Sequence, residues 1–213
     1  MVNDIIKNNE LIKGDESRMM TKDRLESFTD AVLAIIITIL VLDLDKPAHL
    51  TLAGFLALLP NYFAYAISFF WLGAMWINMH NDWYEVKQIT TGTLWSTLIM
   101  LFCSSLFPYA TSIVSSNFYN RSAQVFYGII VLAITISNGN MYSSIAKAHG
   151  ETFGDWVKER RRGWSIIDII IKVVGLILSA TVYPPAMLYS VLITLLVLVI
   201  PNQVKRMYYE QQK

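Results

Sequence analysis

The sequence predicts an all-α, polytopic membrane protein. Hydrophobic residues make up 54% of the 213-residue chain and charged residues only 15%. The charges are unevenly placed, and the uncharged stretches between them are longer than the core of a soluble domain requires. A crossing helix needs about 20 mostly apolar residues to span roughly 30 Å of hydrocarbon. Six windows meet that need, at 25–43, 52–77, 89–114, 123–146, 164–182 and 184–203. They place a polar tail over residues 1–20, a membrane domain over 21–206 and a second tail over 207–213. The weaker windows leave five or seven crossings open.

The first window is approached through polar residues and then runs from Ala31 to Leu42 without a charge. The third is irregular at Ser104, Ser105 and Pro108, because proline cannot donate to the helical ladder. The fourth carries Ser137-Asn138-Gly139-Asn140, a small and polar surface suited either to helix contact or to a break. The fifth is the weakest window, since it contains Asp168 and Lys172. Their i, i+4 spacing favours a neutralised pair on one helix face; otherwise, an intramembrane ion pair is a functional candidate. Pro184-Pro185 then forces a tight hairpin before the sixth window.

Orientation follows from lysine and arginine bias in the short loops. Lys7, Lys13, Arg18, Lys22, Arg24, Lys87, Lys147, Lys158, Arg160, Arg161, Arg162, Lys205, Arg206 and Lys213 fall on the side of the N-terminus, against Lys46 and Arg121 opposite. Both termini are therefore expected in the cytoplasm of a cell-membrane protein. Trp83, Tyr84, Trp156, Trp164, Tyr208 and Tyr209 stand where aromatic belts form.

Other classes fit poorly. A net charge of +1 with no basic stripe gives no nucleic-acid footprint. Cys103 is the only cysteine, so neither a disulfide framework nor a cysteine metal site can be built within one chain. The first twenty residues lack an apolar core for a cleavable signal, leaving the first hydrophobic helix as the expected insertion signal. No nucleophile with a base and an orienting group is readable in the spans, so an enzyme is not expected.

The run Arg24-Leu25-Glu26-Ser27-Phe28-Thr29-Asp30 introduces the first span. Such charges near hydrocarbon either find partners or act as interfacial groups, the acid at a helix N-terminus and the arginine snorkelling to headgroups. The run resembles the RxxxFSD signature of the transmembrane protein 175 family, with Thr29 in place of serine. Trp76-Ile77-Asn78-Met79-His80 resembles that family's WxNHH pattern, with Met79 in place of the first histidine.

The resemblance implies a passive potassium channel without a TVGYG filter, assembled as a homotetramer around four copies of the first helix. On that helix Ile35, Thr38 or Ile39, and Leu42 recur at helical spacing on one face. Bulky rings at Ile35 and Leu42 would form the constriction, and Thr38, with Ile39 beside it, would set selectivity. Otherwise these residues face lipid or the bundle core. Arg24, Phe28, Thr29, Asp30, Asn78 and His80 are expected to couple the ends of two helices.

With His49 and His149 in distant loops, His80 is a thin donor set, so no metal is assigned, and potassium enters only as the permeating species. Asp43 and Asp45 would ring the outer mouth, or else lie in a solvated loop. A cation- or proton-coupled transporter using Asp168, Lys172 and the Asn-Gly-Asn stretch is the competing function, without a visible inverted repeat. A membrane scaffold that transports nothing is a third.

Overall fold

A computed structural model describes residues 20–84 and 86–199, with the side chains of 150–164 and 198–199 outside that description. The two tails therefore lie largely outside it, with the basic residues Lys7, Lys13, Arg18, Lys205, Arg206 and Lys213 and the aromatics Tyr208 and Tyr209. Among the described residues the fold is entirely helical.

Helix α1 covers Lys22–Ile39 and tightens into a 3₁₀ turn over Leu40–Asp43. It begins two turns before Asp30. That acid therefore lies well inside the helix, where the N-terminal dipole, confined to the first turn, does not reach. A short helix α2, Leu52–Ala57, is capped by the Thr51 side chain, which accepts from the Gly54 N–H at 3.2 Å. It is offset from α3, Leu59–Trp83, at Leu58 and Pro60, where the missing proline N–H suits a helix start better than an interior. α3 continues six residues past the window expected for it. Asn78 and His80 thus sit within a helix, with Trp76 and His80 one turn apart.

The third window is also divided. α4, Thr91–Ser105, starts with a reciprocal capping box between Thr90 and Thr93, and α5, Phe107–Ser116, restarts at Pro108. α6 is assigned helical throughout Arg121–Thr181, its first turn capped by Asn120, which accepts from the Ala123 N–H at 3.1 Å. A straight helix of that length would extend about 90 Å. Yet the Arg121 guanidinium donates to the Thr181 carbonyl at 3.2 Å, and Lys172 Nζ donates to Thr135 Oγ1 at 2.9 Å. The element therefore doubles back into two antiparallel limbs, corresponding to the windows at 123–146 and 164–182. The Ser137–Asn140 stretch makes no break in the first limb.

Pro184-Pro185 closes the next hairpin, where Ser179 Oγ donates to the Pro184 carbonyl at 2.6 Å. α7, Ala186–Thr194, then unwinds into a π turn over Leu195–Val199. Gly128 and Gly175 make this packing close: a Cβ at Gly128 would meet Leu176 and Met187, and one at Gly175 would meet Ser190. Small residues let helices approach where lipid supplies no hydrophobic drive between them.

The core gathers Leu33, Ile36, Trp71, Phe107, Tyr127 and Met187 from five helices. Ser68, Tyr127 and Thr111 bridge α3, α6 and α5 by hydroxyl contacts of 3.1 Å. At the Lys87 end of the bundle, His149 accepts the Lys87 and Gln88 backbone N–H groups on Nε2, at 2.8 and 3.0 Å, with Nδ1 2.9 Å from the Ile145 carbonyl. This histidine ties the α3–α4 connection to α6. Three described segments are long and apolar enough to cross a membrane: Lys22–Asp43, Thr91–Ser116 and Arg121–His149. A shorter apolar stretch runs over Ala186–Val197.

Candidate functional site

Helix α1 has two faces of different fate. Leu25, Thr29, Leu33, Ile36 and Leu40 are buried at three- and four-residue spacing against α3, α4 and α5. The opposite stripe stays exposed: Arg24, Phe28, Ala31, Ile35, Thr38, Ile39 and Leu42. Ile35 is 59% and Leu42 78% exposed, although both are as hydrophobic as their buried neighbours. The residues that periodicity grouped as one face therefore do share one, and no other described part of the chain covers it.

Thr38 is the polar position within that stripe. Its hydroxyl donates to the Ile35 carbonyl at 2.8 Å, a local bond open to threonine in a helix. With the hydrogen turned into the backbone, the oxygen presents lone pairs outward.

Beside the stripe lies a groove of about 460 Å³ lined by Ile35, Ile39, Asp43, Pro108, Tyr109 and Ser112 among others. Asp43 borders this groove. Asp45 is placed differently, because one carboxylate oxygen accepts from Asn61 Nδ2 at 2.6 Å and from Ser116 Oγ at 2.9 Å. It ties the loop after α1 to α3 and α5. The two acids paired by sequence thus have separate surroundings.

At the Lys22 end of α1, the expected coupling group is brought together only in part. Asp30 Oδ1 accepts the Trp76 indole N–H at 2.8 Å. His80 stacks on Trp76 with ring centroids 5.7 Å apart and places Nδ1 3.8 Å from Asp30 Oδ2. Thr29 is buried and turns its hydroxyl to the Leu25 carbonyl at 2.8 Å, so it serves its own helix.

Arg24 and Phe28 lie on the exposed stripe, on the opposite side of α1 from Asp30, which faces Trp76 of α3. Asn78 is half-buried and makes no side-chain hydrogen bond among the described residues. Sequence reasoning missed Glu26, whose Oε1 lies 3.9 Å from His80 Nδ1. Its i, i+4 spacing from Asp30 was the available signal.

The Asp168–Lys172 pair is a closed arrangement. Lys172 is 1% exposed; its Nζ donates to Asp168 Oδ2 at 2.6 Å and to Thr135 Oγ1 at 2.9 Å, and lies 4.8 Å from the Trp71 ring centroid. The ammonium has a partner on each side, as a buried charge requires.

Comparison with known proteins shows the family to which the chain belongs. A family model described as "Endosomal/lysosomal potassium channel TMEM175" matches residues 24–108, from the start of the Arg24 signature into α5. A protein named as a potassium channel of Chryseobacterium sp. (strain P1-3) is 33% identical over 184 residues, covering 86% of this chain and 95% of that relative. Another, from Streptomyces collinus, is 28% identical over 127 residues, covering 56% and 62%. Among solved structures, a lysosomal potassium-selective channel TMEM175 homolog from Chamaesiphon minutus matches with a TM-score of 0.64 at 24% identity, over 82% of this chain and 96% of that one. The chain belongs to the TMEM175 potassium channel family, a family of membrane ion channels and not of enzymes.

Proposed function

We propose that this chain conducts potassium passively as a homotetramer, with the exposed stripe of four α1 helices lining the pore. The observation that carries this reading is the one-sided burial of α1: an apolar stripe from Phe28 to Leu42 is left uncovered while the other face is packed. Four-fold closure covers such a stripe and creates an axis at the same time. Ile35 and Leu42 then form hydrophobic rings about 10 Å apart along the axis. Thr38 supplies the ring of hydroxyl oxygens between them, with Ile39 at its flank. Asp43, next along the helix, concentrates cations at the outer mouth.

Six segments cross the cell membrane, the two limbs of α6 each counting once. Both termini are cytoplasmic, in keeping with the lysine and arginine bias, and lipid surrounds the assembly. Arg24 and Phe28 meet a neighbouring subunit.

The test is purified protein in liposomes under a potassium gradient. Ohmic, uncoupled potassium flux is expected. Saturating flux that needs a proton gradient would instead establish a transporter, and absence of flux a scaffold. Single cysteines at 35, 38 and 42 in a Cys103→Ala background are expected to react with a water-soluble thiol reagent and block current, whereas cysteines at 33 and 36 stay inert.

A further inference from the structure

Three Lewis bases face one another where α1 meets α3. Glu26 Oε1 and Asp30 Oδ2 lie 3.9 and 3.8 Å from His80 Nδ1, and all three atoms fall within 4.8 Å of one another. Those separations are too long for hydrogen bonds, so no proton bridges the imidazole to either carboxylate. The remaining oxygen of each acid is engaged elsewhere: Asp30 Oδ1 by the Trp76 N–H at 2.8 Å, Glu26 Oε2 by Lys22 Nζ at 3.8 Å. One free oxygen from each therefore converges on the imidazole.

Two carboxylates at i, i+4 on one helix repel each other. They are tolerated best when a cation sits between them. The bond from Trp76 to Asp30, and the stacking of His80 on Trp76, fix two of the three donors as outer-sphere partners fix metal ligands. Trp83 lines the same cleft. Its indole N–H is buried and has no hydrogen-bond partner among the described residues.

We propose that Glu26, Asp30 and His80 form a binding site for a divalent transition-metal cation that clamps α1 to α3. One imidazole nitrogen and two carboxylate oxygens suit zinc or cobalt, with water completing the shell. Bonds of about 2.0–2.1 Å place tetrahedral ligands roughly 3.4 Å apart, so closure shortens the two carboxylate–imidazole distances by about half an ångström and the carboxylate–carboxylate distance, within 4.8 Å, by up to about 1.4 Å. Glu26, held outside the cluster only by its 3.8 Å ion pair with Lys22 among the described residues, supplies most of that movement, while Asp30 and His80 keep their contacts with Trp76.

His49 and His149 do not compete for this role. His49 lies in the loop before α2, far along the chain, and His149 has both ring nitrogens engaged with backbone.

The experiment uses the full-length protein in mild detergent, titrated with zinc by calorimetry and with cobalt by its visible absorption. One metal per chain is expected, with Glu26→Gln and His80→Gln each weakening binding by about tenfold or more. Asp23→Asn, an exposed acid outside the cluster, should change nothing. Glu26→Gln leaves the Trp76–Asp30 bond intact, so it decides the matter if the histidine variant does not fold. Unchanged zinc affinity in a folded Glu26→Gln or His80→Gln variant, or no stoichiometric binding by the unmodified protein, overturns the proposal. Binding is read directly, so failure here leaves the conduction proposal standing, and absence of potassium flux leaves the metal site standing.

Discussion

Replacing Asp168 with asparagine tests how the buried charge of Lys172 is held. The ammonium is 1% exposed and has three neighbours: Asp168 at 2.6 Å, Thr135 at 2.9 Å and the Trp71 ring face at 4.8 Å. Losing the carboxylate leaves one hydroxyl and one ring around a buried positive charge, and breaking such a pair costs about 3–5 kcal/mol. The Asp168 side chain is 22% exposed, so its charge is only partly desolvated and a cost near the lower end, about 3 kcal/mol, is expected. The double variant Asp168→Asn with Lys172→Met removes both charges and should return to within about 1 kcal/mol of the parent. Thr135→Val, which deletes only the neutral acceptor, should cost about 1 kcal/mol. Equilibrium unfolding in detergent micelles measures all three. A single Asp168→Asn variant as stable as the parent, or a double variant no more stable than that single one, would refute the reasoning. Potassium flux through the double variant then separates a structural pin from a transport site: the pin predicts flux retained.

Ile35→Ala should raise conductance and basal leak, while Thr38→Val, which keeps shape and removes the hydroxyl, should lower the preference for potassium over sodium; reversal potentials and currents under mixed ions report both. Trp76→Phe keeps the ring stacked near His80 but deletes the 2.8 Å donor to Asp30, and should lower unfolding stability by about 1.5 kcal/mol, measured in the same micelles. Gly175→Val places branched carbons against Ser190 across the α6–α7 contact and should destabilise by about 1–3 kcal/mol; a thermal shift within error of the parent would show that the contact gives way.

Patterns confined to one segment were legible in the sequence. The uncharged run from Ala31 to Leu42, the i, i+4 pair of Asp168 and Lys172, and the proline hairpin all depend on neighbours within a turn or two. The division of the second and third windows at Leu58 and Leu106 was less so, although Pro60 and Pro108 mark both restarts. What sequence spacing left open was set by packing between helices. Glu26 reaches the coupling group only because α3 continues to Trp83 and brings His80 alongside. Thr135 becomes the second partner of Lys172 only through the register of the two α6 limbs. Arg24 and Phe28 share a motif with Asp30 but point the other way, since a two- or six-residue step around a helix does not return to one face. Asp45 looked equivalent to Asp43 until Asn61 and Ser116 claimed it.

The doubled-back α6 has a consequence for how the chain can be divided. Arg121 meets Thr181, Gly128 meets Leu176 and Thr135 meets Lys172, all away from residues 150–164. The peptide links there carry none of these contacts, and α7 is fastened to the second limb through Gly175 and Ser190. Two separately translated pieces, one ending and the other beginning in that interval, therefore retain the side-chain chemistry needed to find each other in a bilayer, as independently inserted helices associate by packing. This protein lends itself to being made in halves, with the cut serving as a place to attach reporters without disturbing α1.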